Sequence, residues 1–219
     1  MDNLKKFLID IQQRGLEINT VYDIGAWTGG WSRDMKHSVL PSSDFILFEG
    51  NPERAEQMKS TGFTCFGTVL SKPGTNSVNY YSSAGTGDSY YRENTENYDN
   101  IAPIQLPCTT IDLIVKKYNL PVPNFIKIDT QGSELDILSG AESILDKVDI
   151  IYTECPIVPY NIGSPNIQDY LNFFKEHDFI PLDLLETHTF ENTLVQVDIM
   201  FMRKPVKDKI FGPNKFIRL

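Results

Sequence analysis

In VYDIGAWTGGWS, residues 21–32, an apolar run ends on an aspartate and breaks into glycines before an amphipathic segment. The run is short enough for a buried strand. Gly25, Gly29 and Gly30 permit backbone paths that side chains resist, so the chain can turn sharply there and enter a helix. A strand, a glycine turn and a helix in that order open an α/β unit.

The flanking sequence repeats the alternation. Leu4, Phe7, Leu8 and Ile11 mark one face of a helix over 4–14, within an N-terminal segment 1–19. Trp31–Leu40 can form the next helix, stopped by Pro41. FILFE, 45–49, reads as a strand, followed by a helix capped by Asn51, opened by Pro52 and closed at Gly62. A third strand spans 63–71. Residues 72–108 are rich in Gly, Ser, Asn and Tyr and read as an insertion, with short strands at SVNYY and IQLPC. Then come a helix at TIDLIVKKYN, strands at FIKID and DIIYTEC, a helix over GSELDILSGAESIL with a Ser133-x-x-Asp136 cap signal, another at IQDYLNFFKEHD, and a closing antiparallel hairpin. The prediction is a Rossmann-like α/β fold, a mostly parallel doubly wound sheet forming a single domain over 1–219.

Composition excludes several classes. Apolar residues make up 41%, enough for a core, but no apolar run is long enough to span a bilayer. Three scattered cysteines, Cys65, Cys108 and Cys155, without a CxxC pair, suit a reducing, cytoplasmic setting. The net charge of −9 opposes a broad nucleic-acid footprint. The exception is residues 203–219, where six basic residues face one acid. That basic C-terminal tail, 205–219 in its terminal part, can bind a polyanion or pack on the acidic body, which keeps RNA open as a partner. Oligomeric state is left open, a homo-oligomer included.

The site signals lie at strand ends. The first turn suits an anionic group at a helix N-terminus. Its spacing departs from G-x-G-x-x-G because Trp27 occupies the second glycine position, and no GK[ST] supports a P-loop. Glu49 follows Asp23 by 26 residues, at the end of the second strand, where a carboxylate can accept both ribose hydroxyls. A glycine turn plus that acid points to a nucleoside without a pyrophosphate, and S-adenosylmethionine matches. Asp129 and Glu154 close the strands at FIKID and DIIYTEC, the fourth and fifth of the alternating series, and are the candidates for general base or acceptor alignment. They could also hold Mg²⁺, but no compact ligand run supports a metal, and none is assigned. His37, His177 and His188 lack metal-ligand spacing, although His188, placed at the tip of the last hairpin, can border an acceptor pocket. Tyr80, Tyr81, Tyr90 and Tyr91 flank the insertion and can stack on a ligand or fill a satellite core. Glu134 reads as structural, a partner for Lys127.

DIGAWTGGWS, FEGNPE and IKIDTQGSELDILSGAESIL resemble the motifs of the FkbM family of S-adenosylmethionine-dependent methyltransferases, over roughly residues 20–160. The resemblance implies a class I methyltransferase-like fold and O-methylation of a hydroxyl on a sugar, glycan or natural product. Carried over by position, it implies Asp23, Gly25, Ala26 and Gly29 at the cofactor turn and Glu49 at the ribose, with Asn51 beside it. Ser71 and Ser89 would approach the cofactor. Gly50 stands where the family usually has proline, and Trp27 where it often has asparagine. An RNA ribose or cap methyltransferase, which the basic tail keeps open, and a methyltransferase-like binding module without catalysis are the alternatives, since intact cofactor motifs serve all three.

Overall fold

The computed structural model describes residues 2–83 and 87–212. Its elements are α1 (Asp2–Gln13), β1 (Thr20–Ile24), α2 (Gly30–Ser38), β2 (Asp44–Glu49), α3 (Pro52–Met58), β3 (Thr64–Gly67), β4 (Val69–Leu70), β5 (Ser77–Tyr80), β6 (Ile104–Thr109), α4 (Ile111–Tyr118), β7 (Phe125–Ile128), α5 (Glu134–Ser139), α6 (Glu142–Leu145), β8 (Ile150–Pro156), α7 (Ile167–Glu176), β9 (Phe179–Phe190), β10 (Thr193–Arg203) and α8 (Lys204–Phe211).

Seven strands form the main sheet in the order β3-β2-β1-β7-β8-β10-β9. The pairs from β3 through β8 are parallel, whereas β10 runs antiparallel to both β8 and β9. Strand order therefore reverses at β1, which has β2 on one side and β7 on the other. Such a reversal opens a crevice beyond the carboxyl ends of the strands. Register then decides what enters it. Ile24 pairs with Phe48 and Ile128, and Ile128 pairs with Thr153. The next residue on each strand is Gly25, Glu49, Asp129 and Glu154, so the four emerge side by side.

Apolar layers cover both faces. One buries Tyr22, Phe48, Ile126 and Ile151 against α4, α5, α6 and α7 through Ile114, Ile137, Ile144 and Phe174. The other buries Val21, Leu47, Phe125 and Met200 against α1, α2, α3 and α8 through Leu8, Met35, Met58 and Val206. Burial of these side chains, about 1.5–3 kcal/mol each, holds the strand ends in register.

Three local readings are revised. The third predicted strand splits at Thr68: β3 joins the main sheet, while β4 pairs with β6 in a separate β4-β6-β5 sheet. The helix expected over 132–145 breaks at Gly140, where a Cβ would lie 2.5 Å from the Ser71 carbonyl oxygen, and forms two separate helices, α5 and α6. Ser133 makes no side-chain cap bond; its hydroxyl donates to the Thr130 carbonyl at 3.1 Å. Elsewhere, Asn51 caps α3 as expected, accepting from the Glu53 and Arg54 N–H groups. The basic segment forms α8 with Val206 and Lys207 buried, and Arg203 on its threshold pairs with Asp149 at 3.5 Å. The end of that segment, 213–219, lies outside the described residues.

The β9–β10 turn places Glu191 and Asn192 at φ of 47° and 64°. This is the left-handed pair of a two-residue hairpin, which Asn-Gly serves best. Glu191→Asn combined with Asn192→Gly is expected to raise stability by up to about 1 kcal/mol, read as a higher urea midpoint with an unchanged slope. An unchanged midpoint would show that the turn carries no strain.

Candidate active site

A cavity of about 620 Å³ occupies the crevice. Gly25, Glu49, Asp129 and Glu154 line it together with Ser89, Tyr80 and Tyr90 from the insertion. A second cavity of about 230 Å³ adjoins it, and Asp129 and Glu154 belong to both walls.

The first wall is the turn after β1. The Gly25 and Ala26 N–H groups both donate to the Phe48 carbonyl at 3.0 Å. Gly25 has φ +72°, and a Cβ there would stand 1.9 Å from the Asp129 carbonyl oxygen. Only glycine lets β1 turn so close to β7. Trp27 also takes a positive φ, 54°. Its N–H donates to Glu49 Oε2 at 2.8 Å, and its ring lies 3.8 Å beneath the Arg54 guanidinium. Gly29, again left-handed, caps α2 and packs against Thr61 and Leu47.

Glu49 is fixed between two elements. Its other oxygen accepts the Asn51 N–H at 2.8 Å, so one carboxylate joins the β1 turn to the start of α3. Burial pushes its pKa up to about 7, against the opposing pull of the Asn51 and Trp27 N–H donors and of Lys127. Both oxygens keep lone pairs for further donors. Beside it, Gly50 lets the Tyr80 ring approach, since a Cβ would sit 3.2 Å from that ring.

Asp129 and Glu154 form the far wall. Gln131 Nε2 reaches both, at 3.1 Å from Asp129 Oδ1 and 3.4 Å from Glu154 Oε2. Tyr160 Oη lies 3.0 Å from Glu154 Oε1 and 2.8 Å from Gln196 Oε1. Burial, then the charges of Asp129, Glu134 and Asp198, raise the Glu154 pKa well above the usual carboxylate range. Gln131, itself at φ 55°, is held by a buried anchor. The Glu134 carboxylate accepts the Thr130 N–H at 2.7 Å, the Gly132 N–H at 3.0 Å and the Tyr170 hydroxyl. Glu134 is thus structural as expected, with partners other than Lys127.

The remaining predicted residues stand behind the walls. Asp23 is fully buried, accepts the Ser32 hydroxyl at 2.7 Å and lies 3.3 Å from Lys127 Nζ. Burial opposes the Lys127 charge, but Asp23 and Asp129 outweigh it and raise its pKa. Ala26 is buried in the turn. Asn51 Nδ2 donates to Ser82 Oγ and, at 2.7 Å, to Asp88 Oδ2, tying the insertion to the sheet. Ser71 is buried, 3.4 Å from the Tyr90 hydroxyl. His188 lies within β9 rather than at its tip. It faces the smaller cavity with Glu186 and Asp198, their ligand atoms within 4.8 Å of one another. Protein groups already meet Asp198 there: Tyr152 Oη at 2.7 Å and His188 Nε2 at 3.5 Å. Tyr81 and Tyr91 do not line the large cavity. Tyr81 pairs with Ser89 through the backbone, and the Tyr91 hydroxyl donates to Asp136.

Comparison with known proteins gives a consistent family. Residues 23–181 match the profile of the Methyltransferase FkbM domain. The hexuronic acid methyltransferase AglP of Haloferax volcanii is 23% identical over 146 residues, a match spanning 63% of this chain and 56% of AglP. A crystal structure of methyltransferase FkbM from Methylobacillus flagellatus aligns with a TM-score of 0.51 and 17% identity, over 83% of this chain and 43% of that one. Magnesium protoporphyrin IX methyltransferase from Synechocystis, solved with bound S-adenosylmethionine, aligns with a TM-score of 0.52 and 9% identity, over 92% and 77% of the two chains. The structural matches bear on the fold, and both share the class I methyltransferase architecture.

Proposed function

The chain belongs to the FkbM methyltransferase family, and we propose that it transfers a methyl group from S-adenosylmethionine to a hydroxyl oxygen of a sugar or another hydroxylated small molecule. When bound, the cofactor supplies a methyl carbon on a positively charged sulfur. The residues at the crevice suit it. Gly25 lets the turn close against the end of β7 and line the cavity, and Glu49 offers a buried carboxylate to ribose hydroxyls. A volume of about 620 Å³ is within the range of cofactor and ligand sites.

Asp129 and Glu154 occupy the other end of the same cavity, which is the observation that carries the reading. Transfer breaks the carbon–sulfur bond, forms a carbon–oxygen bond and releases the hydroxyl proton. Glu154 takes that proton, and Asp129 with Gln131 holds the oxygen in line. The hexuronic acid acceptor in the name of AglP supports a sugar. A polynucleotide acceptor is disfavoured because the cavity presents carboxylates where phosphates need cations. Three free cysteines, and no described helix long and apolar enough to cross a membrane, are compatible with a cytoplasmic setting.

The test is release of S-adenosylhomocysteine across a panel of hydroxylated sugars, with calorimetry of the cofactor alone. Glu49→Gln is expected to weaken S-adenosylmethionine binding by about 1–3 kcal/mol, the scale of hydrogen bonds to a charged group. Ribose hydroxyls need the ionised carboxylate, so wild-type affinity rises with pH through about 7 and levels off above it. Folding stability moves the other way. The folded protein holds the Glu49 proton more tightly than the unfolded chain, so this group's contribution falls as pH rises from about 4.5 through about 7. Both slopes should flatten in Glu49→Gln; equal affinity and equal slopes in the two proteins would remove Glu49 from the ribose site.

A further inference from the structure

The walls of the large cavity are charged with one sign. Among the described residues that line it, five are carboxylates, Glu49, Asp88, Glu93, Asp129 and Glu154, and none is a lysine, arginine or histidine. The nearby cations are committed elsewhere. Arg54 covers the Trp27 ring and does not line the cavity. Lys127 lines the smaller cavity, where its ammonium sits 3.1 Å from the Gly25 carbonyl, 3.3 Å from Asp23 and 3.7 Å from Asp129. His188 faces Asp198 there, and Glu186 adds a further acid.

From this distribution, and resting on the sugar-hydroxyl reading above, we infer that the acceptor carries no negative charge: it is a neutral or amine-bearing sugar, not a uronate. Glu154 faces the acceptor end beside Tyr160, Gln131 and Gln196, which offer amide and hydroxyl groups but no cation. A carboxylate placed there would lie beside acids of its own sign in a partly enclosed recess, where like charges repel more strongly than in open water. The cavity is already crowded with negative charge. Burial first, and neighbouring acids next, raise the pKa of Glu154, while Asp88 adds to the burial that raises Glu49. A sugar ring without charge meets only hydrogen-bonding groups, and an ammonium group gains a partner. The acceptor named for AglP is a hexuronic acid, so on this inference the two proteins differ in acceptor charge.

The experiment compares three matched acceptors, methyl glucoside, methyl glucuronide and methyl glucosaminide, by S-adenosylhomocysteine release at low and high salt, in the wild type and in Glu93→Gln. We expect kcat/KM for the uronate to be lower than for the glucoside on the order of tenfold or more at low salt. That ratio should narrow at high salt and again in Glu93→Gln, since shape exclusion would respond to neither. A uronate turned over as well as the glucoside, or a discrimination indifferent to both salt and Glu93→Gln, overturns the inference while leaving sugar methylation standing. Absence of release from all three in both proteins, with cofactor binding intact, overturns the sugar reading and this inference with it.

Discussion

Gly25→Ala is expected to lower the affinity for S-adenosylmethionine by at least about 100-fold and to cost about 3 kcal/mol of stability. The added methyl carbon would stand 1.9 Å from the Asp129 carbonyl oxygen and 2.9 Å from its carbonyl carbon. Neither atom belongs to a movable side chain; both sit in the backbone where β7 ends. The turn after β1 would have to lift away, taking with it the two N–H groups that bind the Phe48 carbonyl. A second penalty comes from φ +72°, which alanine adopts at about 1–2 kcal/mol. Overpacking adds about 1–3 kcal/mol. Displacing the turn also moves Trp27, hence the N–H that orients Glu49, so the loss reaches the ribose carboxylate. Calorimetry and denaturant titration measure both effects. Gly30→Ala is the control, because a Cβ there meets nothing within 4 Å. Wild-type affinity in Gly25→Ala would mean that the turn does not touch the cofactor.

The residues that carry the crevice were readable because each ends a strand. Apolar runs put Gly25, Glu49 and Asp129 at the ends of their strands, and the observed parallel register, Ile24 with Phe48 and Ile128, then sets them at one level. Asp23 lies one residue earlier, and strand pleating turns it to the opposite side from its neighbour. It therefore meets Ser32 and Lys127 behind the turn instead of facing the cavity. The break at Gly140 was hidden because the helical period of Leu135, Leu138, Ala141 and Leu145 continues straight through it. Only the approach of the Ser71 carbonyl, distant in sequence, forces the break. Tyr160 and Gln196 carry no local pattern; antiparallel pairing sets Gln196 of β10 opposite Pro156, and the chain after β8 brings the Tyr160 hydroxyl between Gln196 and Glu154. Gln131 stood within the distinctive IKIDTQG stretch, but its double contact to Asp129 and Glu154 depends on the left-handed turn that Glu134 holds. Asn51 was readable as a helix cap, while its bonds to Ser82 and Asp88 reflect an insertion whose docking has no sequence period.

Glu154→Gln should reduce kcat by about 10²–10⁴-fold, the usual contribution of a positioned proton acceptor, while leaving S-adenosylmethionine affinity within about twofold. The argument rests on geometry before acidity. Glu154 faces the cavity at the end opposite Glu49 and is held by Tyr160 and Gln131. Its raised pKa makes it a stronger base than an exposed carboxylate, although a larger share of it is protonated at a given pH. Because the base must be ionised, wild-type kcat should rise with pH through that raised pKa and then level off. Glu154→Gln should lose this limb and keep only the pH dependence of other groups. Asp129→Asn provides the contrast. Asp129 is 46% exposed and shares the Gln131 amide, so its loss misaligns the acceptor oxygen without removing the proton acceptor. Its expected signature is a smaller fall in kcat with the acid limb retained, shifted to lower pH because a like charge next to Glu154 is gone. The two variants therefore assign the roles by profile and not by rate alone. An acid limb that survives Glu154→Gln and vanishes in Asp129→Asn would exchange them, and one that survives both would place the proton acceptor outside this pair.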